Sequence, residues 1–290
     1  MHSPQTETTS AHRKSPIRVT FDTNTLSGVV DPDQRADEAD YAAYLEVHAA
    51  VRTGQIRGFF SEVVVTVDAI GRKAKAEVLG AARFVSETTS TGPNNITISL
   101  GPRWKRVDID PQILARVQTA REIGMRALIG PRRFGDSFVA QGFGEGFYEP
   151  YPSGAAFIAA AGTTNALDAA IMARGLGRAQ AIELAKSFSE RDGAGGEWWP
   201  QGLERSQCPA ERKKARSAIN EWGDGEALAA HAGYGNDLFC TEDSGGEPGE
   251  KSILHPTHRA WLSEKHGVTI VTIAELAERL ASPSGSMLPS

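Results

Sequence analysis

Three carboxylates stand where chemistry could gather. Asp22 follows the apolar, β-branched run IRVTF, and Asp243 comes just after a second such run, DLFCT (237–241). Asp224 precedes a helical pattern that leads into that second run. If the two runs are strands of one parallel sheet, their carboxyl ends share an edge, the place where open α/β sheets bind ligands. Each acid alone has an ordinary reading: Asp22 a turn or cap, Asp224 an N-cap, Asp243 a loop acid. Three acids converging on one edge are harder to obtain from capping. Two carboxylates about 4 Å apart repel by about 1 kcal/mol in water and about 4 kcal/mol at an effective dielectric near 20, so a shared acidic site calls for a cation. With oxygen donors and no His/Cys ligand set, that cation is Mg²⁺ or Mn²⁺ rather than zinc.

The elements that must position these acids follow from periodicity. Strand IRVTF is followed, after a polar break, by a helix in which Tyr41, Tyr44, Leu45 and His48 fall at helical spacing. The run beginning at Ile56 opens as a short strand and then becomes ambiguous, because VVVTV (63–67) favours strand and KAKAEVLGAARF (73–84) favours helix. ITISL (96–100) reads as another strand. Asp110 and Pro111 predict the capped start of a helix carrying Ile113, Leu114 and Val117. Helices are also expected over 153–173, 178–189 and 209–222, with a Gly-rich loop at 192–202. The last third alternates: helix 225–235, strand 237–241, helix 257–267, strand 268–272, helix 273–280. Such alternation implies crossovers and a parallel sheet.

The motifs FDTN, GDGEALAAHAGYGNDLFCTED and EKHGVTIVTIAEL resemble the PIN domain family of metal-dependent ribonucleases. That family has a strand ending in D-x-N, a helix beginning at an acid, a strand ending in T-x-D and a closing G-(V/I)-x-(I/V)-(V/T) strand. Asp224 and Asp243 are 19 residues apart, the usual separation of the family's third and fourth acids. The resemblance puts Asp22, Asp224 and Asp243 on metal-site acids and Asn24 and Thr241 on accessory polar positions. The second family acid falls on Asp68, where the family normally has Glu; Glu62 lies earlier in the same segment, and Glu226 is a substitute beside Asp224.

The implied fold is α/β, a three-layer sandwich around a central, mostly parallel sheet. Its core is expected over 16–100 and 210–282, with a helical insertion over about 101–209 and disordered tails at 1–15 and 283–290. The resemblance covers roughly 16–80 and 210–280. The implied activity is hydrolysis of RNA phosphodiester bonds by water activated at one or two Mg²⁺ or Mn²⁺ ions. A PIN-like module that binds RNA or a protein without cutting is the alternative. A protein partner or a homo-oligomer is also compatible with the sequence; the toxin of a toxin-antitoxin pair, disfavoured by the chain's size, and a DNA-directed flap nuclease with a different substrate channel would use the same acids.

Composition limits these expectations. A net charge of −5 argues against a protein that coats nucleic acid indiscriminately, since such binding is mainly phosphate neutralisation. Local basic stretches remain: RWKR (103–106), Arg132 and Arg133, and ERKKAR (211–216), either a phosphate track or scattered solvated charge. Trp198 and Trp199 offer either base stacking or packing. His231 reads as a helix-face residue and Asp237 as structural. Cys208 and Cys240 provide neither a disulfide framework nor a zinc site, which points to a reduced, cytoplasmic protein. Residues 1–15 lack the apolar stretch of a signal peptide. The apolar stretch 155–173 includes Thr163, Thr164, Asn165 and Asp168, as a core helix does, so no membrane is called for.

Overall fold

The computed structural model describes residues 15–70, 75–81, 83–92, 95–103, 110–131, 144–194, 196, 198–246 and 249–282, with 83–103 as backbone only. Residues 1–14 of the tail expected at 1–15, the tail expected at 283–290, most of RWKR, and Arg132 with Arg133 lie outside the described residues.

The strands are β1 (Ile17–Phe21), β2 (Ile56–Ser61), β3 (Arg83–Gly92), β4 (Asn95–Arg103), β5 (Arg126–Leu128), β6 (Leu238–Cys240) and β7 (Ile270–Val271). The helices are α1 (Thr23–Val30), α2 (Tyr41–Arg52), α3 (Lys75–Gly80), α4 (Pro111–Glu122), α5 (Gly154–Ala173), α6 (Arg178–Arg191), α7 (Pro209–Gly233), α8 (Pro256–His266) and α9 (Ile273–Ala281). Five strands form one all-parallel sheet in the order β5-β2-β1-β6-β7, and β3 pairs with β4 as a separate antiparallel ribbon. The chain builds outward from β1 through β2 to β5, then returns to the other side of β1 for β6 and β7. The order therefore reverses between β1 and β6, the position at which α/β sheets open a crevice.

Side chains alternate across this sheet, as the pleat requires. Val19 and Phe21 of β1, Phe60 of β2 and Cys240 of β6 pack with Leu26, Val47 and Leu276 from α1, α2 and α9. Phe239 faces the opposite side with Leu167 of α5, Leu228 of α7 and Leu262 of α8. Helices thus cover both faces, and each fully buried Phe or Leu contributes about 1.5–3 kcal/mol. A second core lies beside the sheet, where α3, α6 and the first half of α7 enclose Leu79, Ala185, Leu203 and Trp222.

Several elements differ from the sequence-based expectation. VVVTV does not form a strand: Glu62–Val65 is a 3-10 turn, capped by the Ser61 hydroxyl accepting from Val63 N at 3.3 Å. α1 begins directly after β1, where a polar break was expected. The segment expected as a helical insertion also supplies β5 to the main sheet. The two helices expected at 209–222 and 225–235 are one continuous 25-residue helix, α7. Gly223 and Gly225 do not interrupt it, because both are packed: a Cβ at Gly223 would meet Val63 Cγ1 at 3.1 Å, and one at Gly225 would lie 3.6 Å from Gly177. Tertiary packing overrides the weak local propensity of Gly-Asp-Gly. α5 is long and apolar enough to cross a membrane by length and composition, and in this fold it packs Leu167 and Ile171 onto α7 while Asp168 pairs with Arg178 at 2.8 Å.

Candidate functional site

At the carboxyl edge of β2, β1 and β6 lies a cavity of about 650 Å³ lined by Asp22, Asp68, Asp224 and Asp243. All four sequence-predicted acids meet there, carried by different elements.

Asp22 caps a helix and also lines the cavity. Its backbone continues the ladder, donating to Cys240 O at 2.9 Å, and its Oδ1 caps α1 by accepting from Thr23 N at 2.7 Å. Its Oδ2 accepts from the Thr241 hydroxyl at 2.7 Å. Thr241 in turn accepts from Asn24 Nδ2 and from Asp243 N, each at 3.1 Å. Both accessory positions therefore act by fixing Asp22 and the start of the Asp243 turn.

Asp243 is held by the turn that follows it. Its Oδ1 accepts from Gly245 N at 2.7 Å, and Arg259 donates to its carbonyl and, at 2.7 Å, to Leu254 O. Gly245 has φ +66°, and a Cβ there would collide with the backbone of His255, so only glycine fits.

Asp68 sits in the turn after Glu62–Val65, not on a helix. Its Oδ2 accepts from the Thr23 hydroxyl at 2.6 Å and its Oδ1 from Lys75 Nζ at 3.2 Å. Asp224, expected to open a helix, lies well inside α7, so its N-cap reading falls. Among the described residues its carboxylate accepts no hydrogen bond and forms no ion pair.

Burial pushes the Asp22 carboxyl up to about 6, against the lowering effect of Thr241, with repulsion from Asp68 and Asp243 adding to the rise. Asp224 is driven well above the ordinary carboxylate range by burial and by repulsion from Asp22, Glu221, Asp68 and Asp243. Glu221, one turn earlier on α7, is pushed up to about 7 by burial, although Ile253 N donates to it at 3.1 Å.

The basic stretch 211–216 supplies part of the cationic side of the cavity, and only Lys75 was missed by sequence reasoning. Lys75, Lys213 and Arg216 line it together with Ser217 and Asn220. Positions 213, 216, 217, 220 and 224 recur at intervals of three and four, so one face of α7 runs from two cations to one acid. That spacing was legible in the sequence once the helix is taken as unbroken.

The other candidates lie elsewhere. Glu62 accepts from Gly130 N at 2.8 Å and from the Tyr148 hydroxyl at 3.2 Å; Glu226 accepts from Trp222 Nε1 at 2.7 Å; both flank Gly130 and neither lines the cavity. His231 is buried with Nδ1 2.9 Å from the Thr20 hydroxyl, and burial pushes its pKa down to about 3, so it stays neutral. Trp199 packs edge-on against Trp222 at 5.3 Å. Asp237 accepts from Arg18 N at 2.7 Å and anchors the start of β1.

The oxygen-only donor set suits Mg²⁺ or Mn²⁺. Among the described residues no three Asp, Glu, His or Cys side chains stand close enough to enclose one ion. Mg²⁺ commonly keeps several waters and is held through one or two carboxylates plus substrate oxygens, so a loose acidic cavity is compatible with it. The raised carboxyls of Asp22 and Asp224 indicate what a cation would relieve. No family model, curated protein or solved structure matches this chain.

Proposed function

We propose that this chain is a PIN-type, metal-dependent endoribonuclease that hydrolyses RNA phosphodiester bonds. The observation that carries this reading is Asp224: a carboxylate inside a helix, without a donor among the described residues, in one cavity with Asp22 and Asp243 at the reversal point of a parallel sheet. A bound Mg²⁺ or Mn²⁺ would supply an acidified water and positive charge beside the phosphate. Asp22, Asp224 and Asp243 would hold the ion, one or two of them directly and the rest through its waters. Thr241 and Asn24 keep the Asp22 carboxylate oriented, and Asp68 faces the same space from the β2 side. Lys213 and Arg216 offer positive charge to the RNA backbone near the acids. The free thiols Cys208 and Cys240 fit a reduced, cytoplasmic setting.

The test is cleavage of a mixed-sequence RNA with Mn²⁺, alongside calorimetric Mn²⁺ titration, for wild type, Asp22→Asn and Asp243→Asn. We expect both variants to lose more than about 100-fold in rate and to lose Mn²⁺ binding, since even partners of metal ligands cost 10–100-fold when removed. Mn²⁺ binding without cleavage of RNA would favour the non-cutting PIN-like module. Absence of Mn²⁺ binding in wild type would refute the metal reading.

A further inference from the structure

Lys75 is out of place for a surface lysine. It is only 5% exposed, at the first position of α3, and lines the acidic cavity. A buried ammonium is costly unless it is paired and hydrogen-bonded. Here Nζ donates to Asp68 Oδ1 at 3.2 Å and to Asn220 Oδ1 at 2.9 Å. With the Thr23 hydroxyl at 2.6 Å on Oδ2, both Asp68 oxygens already have protein donors, one of them charged. Among the described residues Asp22 has only neutral donors and Asp224 none. The four acids of the cavity are therefore not equivalent: among the described residues Asp68 alone is in an ion pair, while Asp22, Asp224 and Asp243 form none.

We infer that Lys75 is a built-in cation of this cavity: it holds Asp68 as an internal ion pair, so the site takes a single divalent ion on the Asp22, Asp224 and Asp243 side. This rests on the metal-site reading above and adds why Asp68, which lines the same cavity, is taken by the lysine instead of by an ion. A lysine ammonium has three donors, of which Asp68 and Asn220 use two among the described residues. The third is available to an anion entering the cavity, which gives Lys75 the place of a second positive charge beside a phosphodiester. The second core explains how the lysine is held there. Val78 and Leu79 of α3 pack against Leu203 and Ala215, anchoring the short helix while its first residue points charge toward α7.

The experiment is a count of Mn²⁺ ions by calorimetry and by electron paramagnetic resonance, with circular dichroism to check folding. Wild type should bind one ion. Lys75→Met, which frees Asp68, should bind a second. The paired variant Lys75→Met/Asp68→Asn removes both charges together, avoids an uncompensated buried group, and should bind one ion with Kd within about threefold of wild type. Two ions in wild type, a count that stays at one in Lys75→Met, or more than tenfold weaker binding in the paired variant would overturn the inference while leaving the metal site standing. No ion in wild type would overturn both.

Discussion

The two ends of the same parallel sheet treat charge in opposite ways. At the strand starts one acid is surrounded by cations. Glu149, with a side chain 7% exposed, accepts from Arg57 at 2.7 and 2.9 Å, and Arg18 and Arg126 stand 3.6 and 3.7 Å away. At the strand ends four aspartates share a cavity with one buried lysine. Both groups are assembled by β1 and β2, whose second residues are Arg18 and Arg57 and whose exits lead to Asp22 and Asp68. The sheet can evidently bring compensating charge to an acid. At the other end Asp22, Asp224 and Asp243 form no ion pair among the described residues, although Lys213 and Arg216 line the same cavity, so compensation there is less complete.

The largest expected effect tests the compensated end. Glu149→Ala strands three guanidinium groups, and we expect a loss of roughly 2 kcal/mol, below the 3–5 kcal/mol of a fully buried pair because the arginines are partly solvated. Asp224→Asn, which relieves repulsion without changing shape, should leave stability unchanged or raise it. Denaturant midpoints of the two variants check this, and equal destabilisation would erase the contrast.

A smaller effect concerns pH. The Asp22 carboxyl titrates at about 6 in the folded chain against 3.8 when unperturbed. Between those values the folded state binds more protons than the unfolded state, so stability from this group is greatest below 3.8 and declines as pH rises to about 6. Asp22→Asn should therefore melt above wild type at pH 7 without divalent ions and lose that advantage near pH 4. Melting curves with chelator across this range decide it; a constant difference would mean that Asp22 titrates normally.

The smallest effect belongs to the two cations on the outer part of α7, Lys213 exposed and Arg216 partly buried. Lys213→Ala and Arg216→Ala should each raise the KM for RNA by roughly two- to fivefold, more at low salt, with kcat nearly unchanged. Steady-state cleavage at two salt concentrations measures it. A fall in kcat instead would place these residues at the reacting phosphate.

Much of the sheet was legible in the sequence because buried parallel strands are short apolar runs and their spacing by helices is regular. IRVTF and LFC could hardly be anything else, and the acids that follow them inherit their position from the fold. α1 escaped notice because TNTLSGVV carries a weak helical pattern; Asp22 starts it and burial of Leu26, Val29 and Val30 completes it. β5 escaped because three residues after α4 look like its last turn. Gly-Asp-Gly looked like a break, and only the packing of Val63 and Gly177 against those glycines shows why the helix runs on. Lys75 was invisible for a different reason. A lysine in a polar, helical stretch is ordinarily solvated, and nothing local records that Asp68 and Asn220, the latter 145 positions away, close over it.

The unbroken course of α7 also determines how the cavity can respond to its own crowding. An acid at a frayed helix end could swing outward and let water absorb the repulsion. Asp224 lies nine residues from the nearer end of its helix, held between two cores, where opening requires global rather than local unfolding. The backbone thus blocks the cheap mechanical escape, and the electrostatic conflict can be discharged only by taking up a proton or a counter-ion.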